Sequence, residues 1–330
     1  MLQDRQGHMW FGTGNNGISR FDGGQWLGLD TEDGLPSNNV RALHEDRDGR
    51  LWLATAKGIA SLGPEGLVGF GPEDGLPRGE VIDIAEDADG TLWFAIFGSG
   101  IARREGDGWF ILDHEKGLRD GRINGIDFAP DGALWVATYT SIERYDGDHW
   151  TVFDDTSDLP EMPAFVISID RSGDVWTSCR GGVASYDGTA WTPFGSKHDD
   201  ATGMVIGIFE EDNGDHLFLT SNGVLRLRDG ETSTKAQHTA LPHSAVHQAL
   251  RDREGAMWFA TMGGASRLDE TGLVVYTEED GLTGGVHHLR RTQEGDLWIA
   301  HNDTTGVTRL RRGEMTTWTD RDGLPEAKVY

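Results

Sequence analysis

The chain has 330 residues and sets 55 Asp and Glu against 29 Lys and Arg, a formal charge of −26, so a phosphate backbone is repelled and nucleic acid is not an expected partner. The single cysteine, Cys179, excludes an internal disulfide and a cysteine-based metal cluster. No apolar run reaches membrane-spanning length and Met1-Leu2-Gln3-Asp4-Arg5 does not read as a signal peptide, so no membrane insertion by this chain is expected.

A hairpin of acidic turn followed by tryptophan, clearest at Arg47-Asp48-Gly49-Arg50-Leu51-Trp52, recurs along the chain. Its register falls at Trp10, Trp52, Trp93, Trp135, Trp176, Leu217, Trp258 and Trp298, with spacings of 42, 41, 42, 41, 41, 41 and 40 residues. Eight such units fill the chain and leave no room for a second kind of domain. In the second unit, strands are expected at 40–45, 51–55, 58–62 and 67–70, separated by turns rich in Asp and Gly. Four short antiparallel strands per unit make one propeller blade. The expected fold is all-β: a single β-propeller over 1–330 with eight blades, seven being the alternative, because Val329 and Tyr330 match Val40 and Arg41 in register. Pairing of the two chain ends in the first blade would then close the ring.

All twelve tryptophans fall in two registers, seven in the second strand and five in the fourth, at Trp26, Trp109, Trp150, Trp191 and Trp318. Large flat side chains at fixed blade positions fill the wedges between sheets, so their expected role is packing. Glycine opens the third strand in seven units, where positive φ or close backbone approach suits it, and Ser141 is the departure. The sixth unit lacks both tryptophans and is expected to pack less tightly.

The run Asp33-Gly34-Leu35-Pro36-Ser37-Asn38-Asn39-Val40, followed by Asp46-Arg47-Asp48-Gly49-Arg50-Leu51-Trp52 and Thr55-Ala56-Lys57-Gly58-Ile59, resembles the two-component regulator propeller repeat. Partial copies of its linker recur at Gly75-Leu76-Pro77, Gly117-Leu118, Leu159-Pro160, Leu241-Pro242, Gly281-Leu282 and Gly323-Leu324-Pro325. The resemblance implies a sensor propeller of a bacterial hybrid histidine kinase or related receptor, periplasmic or extracytoplasmic in that setting and cytoplasmic if this chain is complete.

Turns such as Asp46-Arg47-Asp48-Gly49 look like the start of a calcium loop, but the bidentate Glu of an EF-hand is missing and hairpin chemistry accounts for the Asp residues. Function is expected on the face formed by the loops entering the inner strands and those joining the second and third strands. Candidate ligand-binding residues there are Arg41, Asp83, Arg122, Asn124, Tyr139, Arg180, His247, His287, His288, His301 and Asp303. The expected activity is non-catalytic binding of a small molecule, glycan or protein by a monomer. The alternatives are a propeller lyase or hydrolase with a histidine-based channel site, and a protein-interaction scaffold. No cofactor is called for; a divalent cation on imidazole and carboxylate is the variant of that expectation.

Overall fold

The structure, a computed structural model, describes all residues except 155, 181, 195–203, 212, 222, 229, 238–240, 244, 270, 302–305 and 325–330, with backbone alone over 231–237. Consecutive strands form eight four-stranded antiparallel sheets. Blade 2 comprises Val40–Glu45, Leu51–Thr55, Gly58–Gly63 and Gly66–Phe70, within one residue of the expected strands. The inner strands of blades 1 and 3 to 8 are Leu2–Gln3, Val81–Glu86, Ile123–Phe128, Ala164–Ile169, Val205–Glu210, Val246–Arg251 and Val286–Arg291.

The acidic turn and the tryptophan prove to be one hydrogen-bonded unit. Asp46 Oδ1 accepts the backbone N–H groups of Asp48 and Arg50 at 3.0 and 2.9 Å, while Oδ2 accepts the Trp52 indole N–H at 2.8 Å. The same indole bond joins Asp4 to Trp10, Asp87 to Trp93, Asp170 to Trp176 and Asp252 to Trp258 at 2.8–2.9 Å. In these five blades the tryptophan is buried with its one polar atom satisfied by a partner six residues upstream.

Blade 6 shows what happens when the indole is absent. Leu217 is fully buried, and the upstream acid becomes Glu211, which is buried and accepts from Arg226 at 2.7 Å and from Arg251 of blade 7 at 3.2 Å. The longer carboxylate exchanges a bond within the hairpin for a charged link between blades.

The linkers add a second device. In four of them a short turn, such as Pro72–Asp74 or His114–Lys116, ends on a glycine with φ near 90–106°, and the following leucine is buried. Leu76, Leu118, Leu282 and Leu324 enter the core this way, and Leu35, Leu159 and Leu241 of other linkers are buried as well.

Eight apolar clusters lie at the eight junctions between neighbouring blades. The one that decides the blade number joins Trp298, Ala300, Val307 and Leu324 of blade 8 to Met9, Phe11 and Phe21 of blade 1. With the first and last blades in contact the ring holds eight blades, and each junction between neighbours carries an apolar cluster. The expected pairing of Val329 and Tyr330 with the first blade lies outside the described residues.

Candidate functional site

The face expected to carry function is held together blade by blade. The turn joining the second and third strands donates a backbone N–H to the residue just ahead of the inner strand: Ala56 to Asn39, Phe97 to Glu80, Tyr139 to Arg122, Arg180 to Pro163 and Ser221 to Met204, at 2.8–3.1 Å. In five blades a buried threonine below the turn closes the strand pair. Thr13, Thr55, Thr138, Thr220 and Thr261 donate their hydroxyls to the carbonyl of the residue opening the third strand at 2.8–2.9 Å. The threonine register therefore fixes the loop base rather than facing a ligand.

A β-bulge at the start of the inner strand sets the next feature. In blades 2 to 8 the register shifts by one residue, so that Val40 faces Thr55 while Ala42 faces Ala54. The extra residue is Arg41 in blade 2, Asn124 in blade 4, His247 in blade 7 and His287 in blade 8. Four sequence candidates thus share one backbone irregularity, of a kind that re-aims side chains. Arg41 pairs with Glu80, Asn124 donates to the Ala164 carbonyl at 2.6 Å, and His247 stacks on His287 with ring centroids 5.1 Å apart. Burial holds His288 well below the usual imidazole range, and the Met1 amino group, His287 and Arg290 push in the same direction.

Asp83 serves the inner ring. It accepts the backbone N–H of Ile84 at 2.9 Å and that of Ile126, on the next inner strand, at 3.2 Å. Asp127 repeats the bridge to Ile169 at 3.2 Å. The inner strands present unpaired edges to the axis, and these side chains cap them. Burial raises the Asp83 carboxyl to about 6 against its backbone partners, with the Asp127 charge adding to the rise.

Arg122 and Tyr139 come together on the surface. The guanidinium is bidentate on Asp120 at 3.0 and 2.8 Å and lies 5.1 Å from the Tyr139 ring centroid. Gly98 of blade 3 donates to the Gly121 carbonyl at 2.7 Å, which brings the Phe97 turn alongside. Arg180 is exposed on the turn of blade 5. His301 is fully buried, with Nε2 2.9 Å from Thr308 Oγ1, so it belongs to the blade core. Asp303 lies outside the described residues. Cys179 is buried, and burial pushes its thiol up to about 12, which leaves no thiolate nucleophile at neutral pH.

Sequence reasoning missed Glu143. This fully buried carboxylate accepts from the backbone N–H groups of Arg119 and Asp120 at 2.8 and 3.2 Å and from the Ser141 hydroxyl at 2.9 Å, so it holds the loop that carries Asp120 and Arg122. Burial raises its carboxyl above the usual range. The signal was available: Ser141 replaces the usual glycine, and Glu143 stands where other blades have Ser, Ala, Thr or Leu. Among the described residues no group of three His, Cys, Asp or Glu side chains is arranged to hold a metal ion.

Residues 34–57 and 75–98 match the two component regulator propeller family. No curated protein matches the chain. Among solved structures, the chain is similar to the extracellular domain of BT4673 from B. thetaiotaomicron, assigned to a one component system, at 18% identity and TM-score 0.57, covering 94% of this chain and 50% of that one. Virginiamycin B lyase from Staphylococcus aureus is similar at 16% identity and TM-score 0.58, with 79% and 91% covered. PorZ, a surface component of the type-IX secretion system of Porphyromonas gingivalis, is similar at 15% identity and TM-score 0.58, with 92% and 50% covered. The chain therefore spans half the length of the BT4673 domain and of PorZ, and at these identities the likeness is one of fold. The chain is an eight-bladed β-propeller in which residues 34–57 and 75–98 match the two component regulator propeller repeat.

Proposed function

We propose that this propeller is a non-catalytic, ligand- or partner-binding sensor module of a bacterial signalling protein, and that its loop face is the recognition surface. One observation carries the reading. Phe97, Tyr139, Met204 and Met262 are 40, 43, 51 and 44% exposed, and all four stand on that face; of the large apolar side chains most open to solvent among the described residues, only Leu27 and Val274 lie elsewhere, on outer strands. Apolar side chains concentrated on one face and set among polar groups mark a contact surface. The Tyr139 ring against the Arg122–Asp120 pair, with the exposed Phe97 on the adjoining turn, suits a small molecule or glycan that offers both an apolar face and hydrogen-bonding groups. The propeller repeats and the fold shared with an extracellular sensor domain support a signalling role. Thermal melts against a panel of oligosaccharides test it: one class should raise the melting temperature of the native chain and not that of the Phe97→Ala/Tyr139→Ala double variant. If no class shifts the native melt, or the double variant responds equally, the reading is wrong.

A lyase reading draws on the stacked His247 and His287 and on the fold shared with virginiamycin B lyase. Incubation with virginiamycin B, followed by mass spectrometry, tests it; an unaltered compound removes this reading.

A further inference from the structure

We infer that the groove between blades 2 and 3 on the loop face binds a small hydroxylated organic carboxylate. The inference deepens the reading of the loop face as a recognition surface and rests on it. The groove has a volume of about 690 Å³ and lies between the outer strand of blade 2 and the linkers that enter blades 2 and 3. That size suits a small ligand.

Its charges are unusual for this chain. Lys57 and Arg78 both line the groove, both are exposed, and neither forms an ion pair with a described residue, although the protein carries 26 excess negative charges. The backbone beneath them is fixed: Lys57 N–H donates to Thr55 Oγ1 at 3.3 Å, and the Arg78 carbonyl accepts from Ser99 Oγ at 2.5 Å. Of the two acids in the lining, Glu80 is already paired with Arg41, so it does not cancel the two cations. Glu73 remains as an acceptor at the rim.

The walls narrow the ligand class. Pro36 and Phe70 offer apolar surface that a bare inorganic anion would not use, and Glu73 would repel a compact dianion. A carboxylate on Lys57 and Arg78, a carbon body against Pro36 and Phe70, and a hydroxyl donating to Glu73 together use each feature. A planar guanidinium and an ammonium lining one groove offer a carboxylate both a bidentate and a point-charge partner.

Isothermal titration tests the assignment with three probes: gluconate, glucose as the uncharged counterpart, and sulfate as the bare anion. Gluconate should bind, with glucose and sulfate at least tenfold weaker. Lys57→Gln and Arg78→Gln should each weaken gluconate at least fivefold, and the double variant should abolish it. Both side chains are exposed, and a thermal melt establishes that each variant is folded. No gluconate binding, equal binding of sulfate, or full retention in the folded double variant would each overturn the assignment. The two readings fail separately: absence of gluconate binding alongside an oligosaccharide response that Phe97→Ala/Tyr139→Ala removes overturns the groove alone, whereas an oligosaccharide response that is absent, or unaffected by Phe97→Ala/Tyr139→Ala, overturns the wider surface.

Discussion

Trp52 donates its indole N–H to Asp46 Oδ2 at 2.8 Å, and the other oxygen of that carboxylate holds the turn between them. Replacing Asp46 by Ala strands three donors at once. The expected cost is about 2–3 kcal/mol, from the desolvation of partly buried donors left without an acceptor. Asp48→Ala, in the same turn but exposed, should stay within about 0.5 kcal/mol. Urea denaturation of the two variants checks this; equal costs would show that the turn is held by backbone geometry alone.

Gly264 combines φ +137° with a position at which an added Cβ would lie 2.2 Å from the Tyr276 carbonyl oxygen. Gly264→Ala should therefore destabilise by about 3 kcal/mol or more, since both strain and clash must be relieved. Gly23 has φ +101° but open space around it, so Gly23→Ala should cost about 1 kcal/mol from strain alone. Calorimetric melting of both variants measures the difference, and similar shifts would rule out the steric term.

The raised carboxyl of Asp83 makes stability depend on pH in a defined direction. Its folded value of about 6 lies above the ordinary 3.8, so the folded chain holds the extra proton between those limits. Ionisation of Asp83 therefore weakens the fold as pH rises through this window, by about 1–3 kcal/mol, and the penalty disappears as pH falls towards 4. In Asp83→Asn this component should vanish. Denaturation of both proteins at pH 4.5 and 7.5 isolates it: a stability difference between them that does not change with pH would contradict the assignment.

Much of the fold was legible because a repeat states the same constraint eight times. The second-strand tryptophans, the third-strand glycines and the linker leucines each mark a position that every blade must fill in the same way, and the strands of blade 2 fall within a residue of those expected. The candidate site was less legible. Arg41, Asn124, His247 and His287 were recognisable as variable residues, but not as occupants of one bulge, because a bulge is defined by the partner strand. His301 stood out for the same variability and is buried against Thr308. Glu143 went unnoticed because the groups it binds, at Arg119 and Asp120, lie on a loop more than twenty residues earlier.

The sequence alone determined the blade: its length, its four strands, its acidic hairpin and its packing tryptophans follow from local periodicity and turn chemistry. Tertiary structure decided what depends on neighbouring blades. The contact of Trp298 with Phe11 closes the ring at eight, Asp83 caps an inner strand one blade away, and Lys57 and Arg78 line one groove between two blades. Such relationships join residues twenty to nearly three hundred positions apart, and only the geometry of a closed ring brings them within reach of one another.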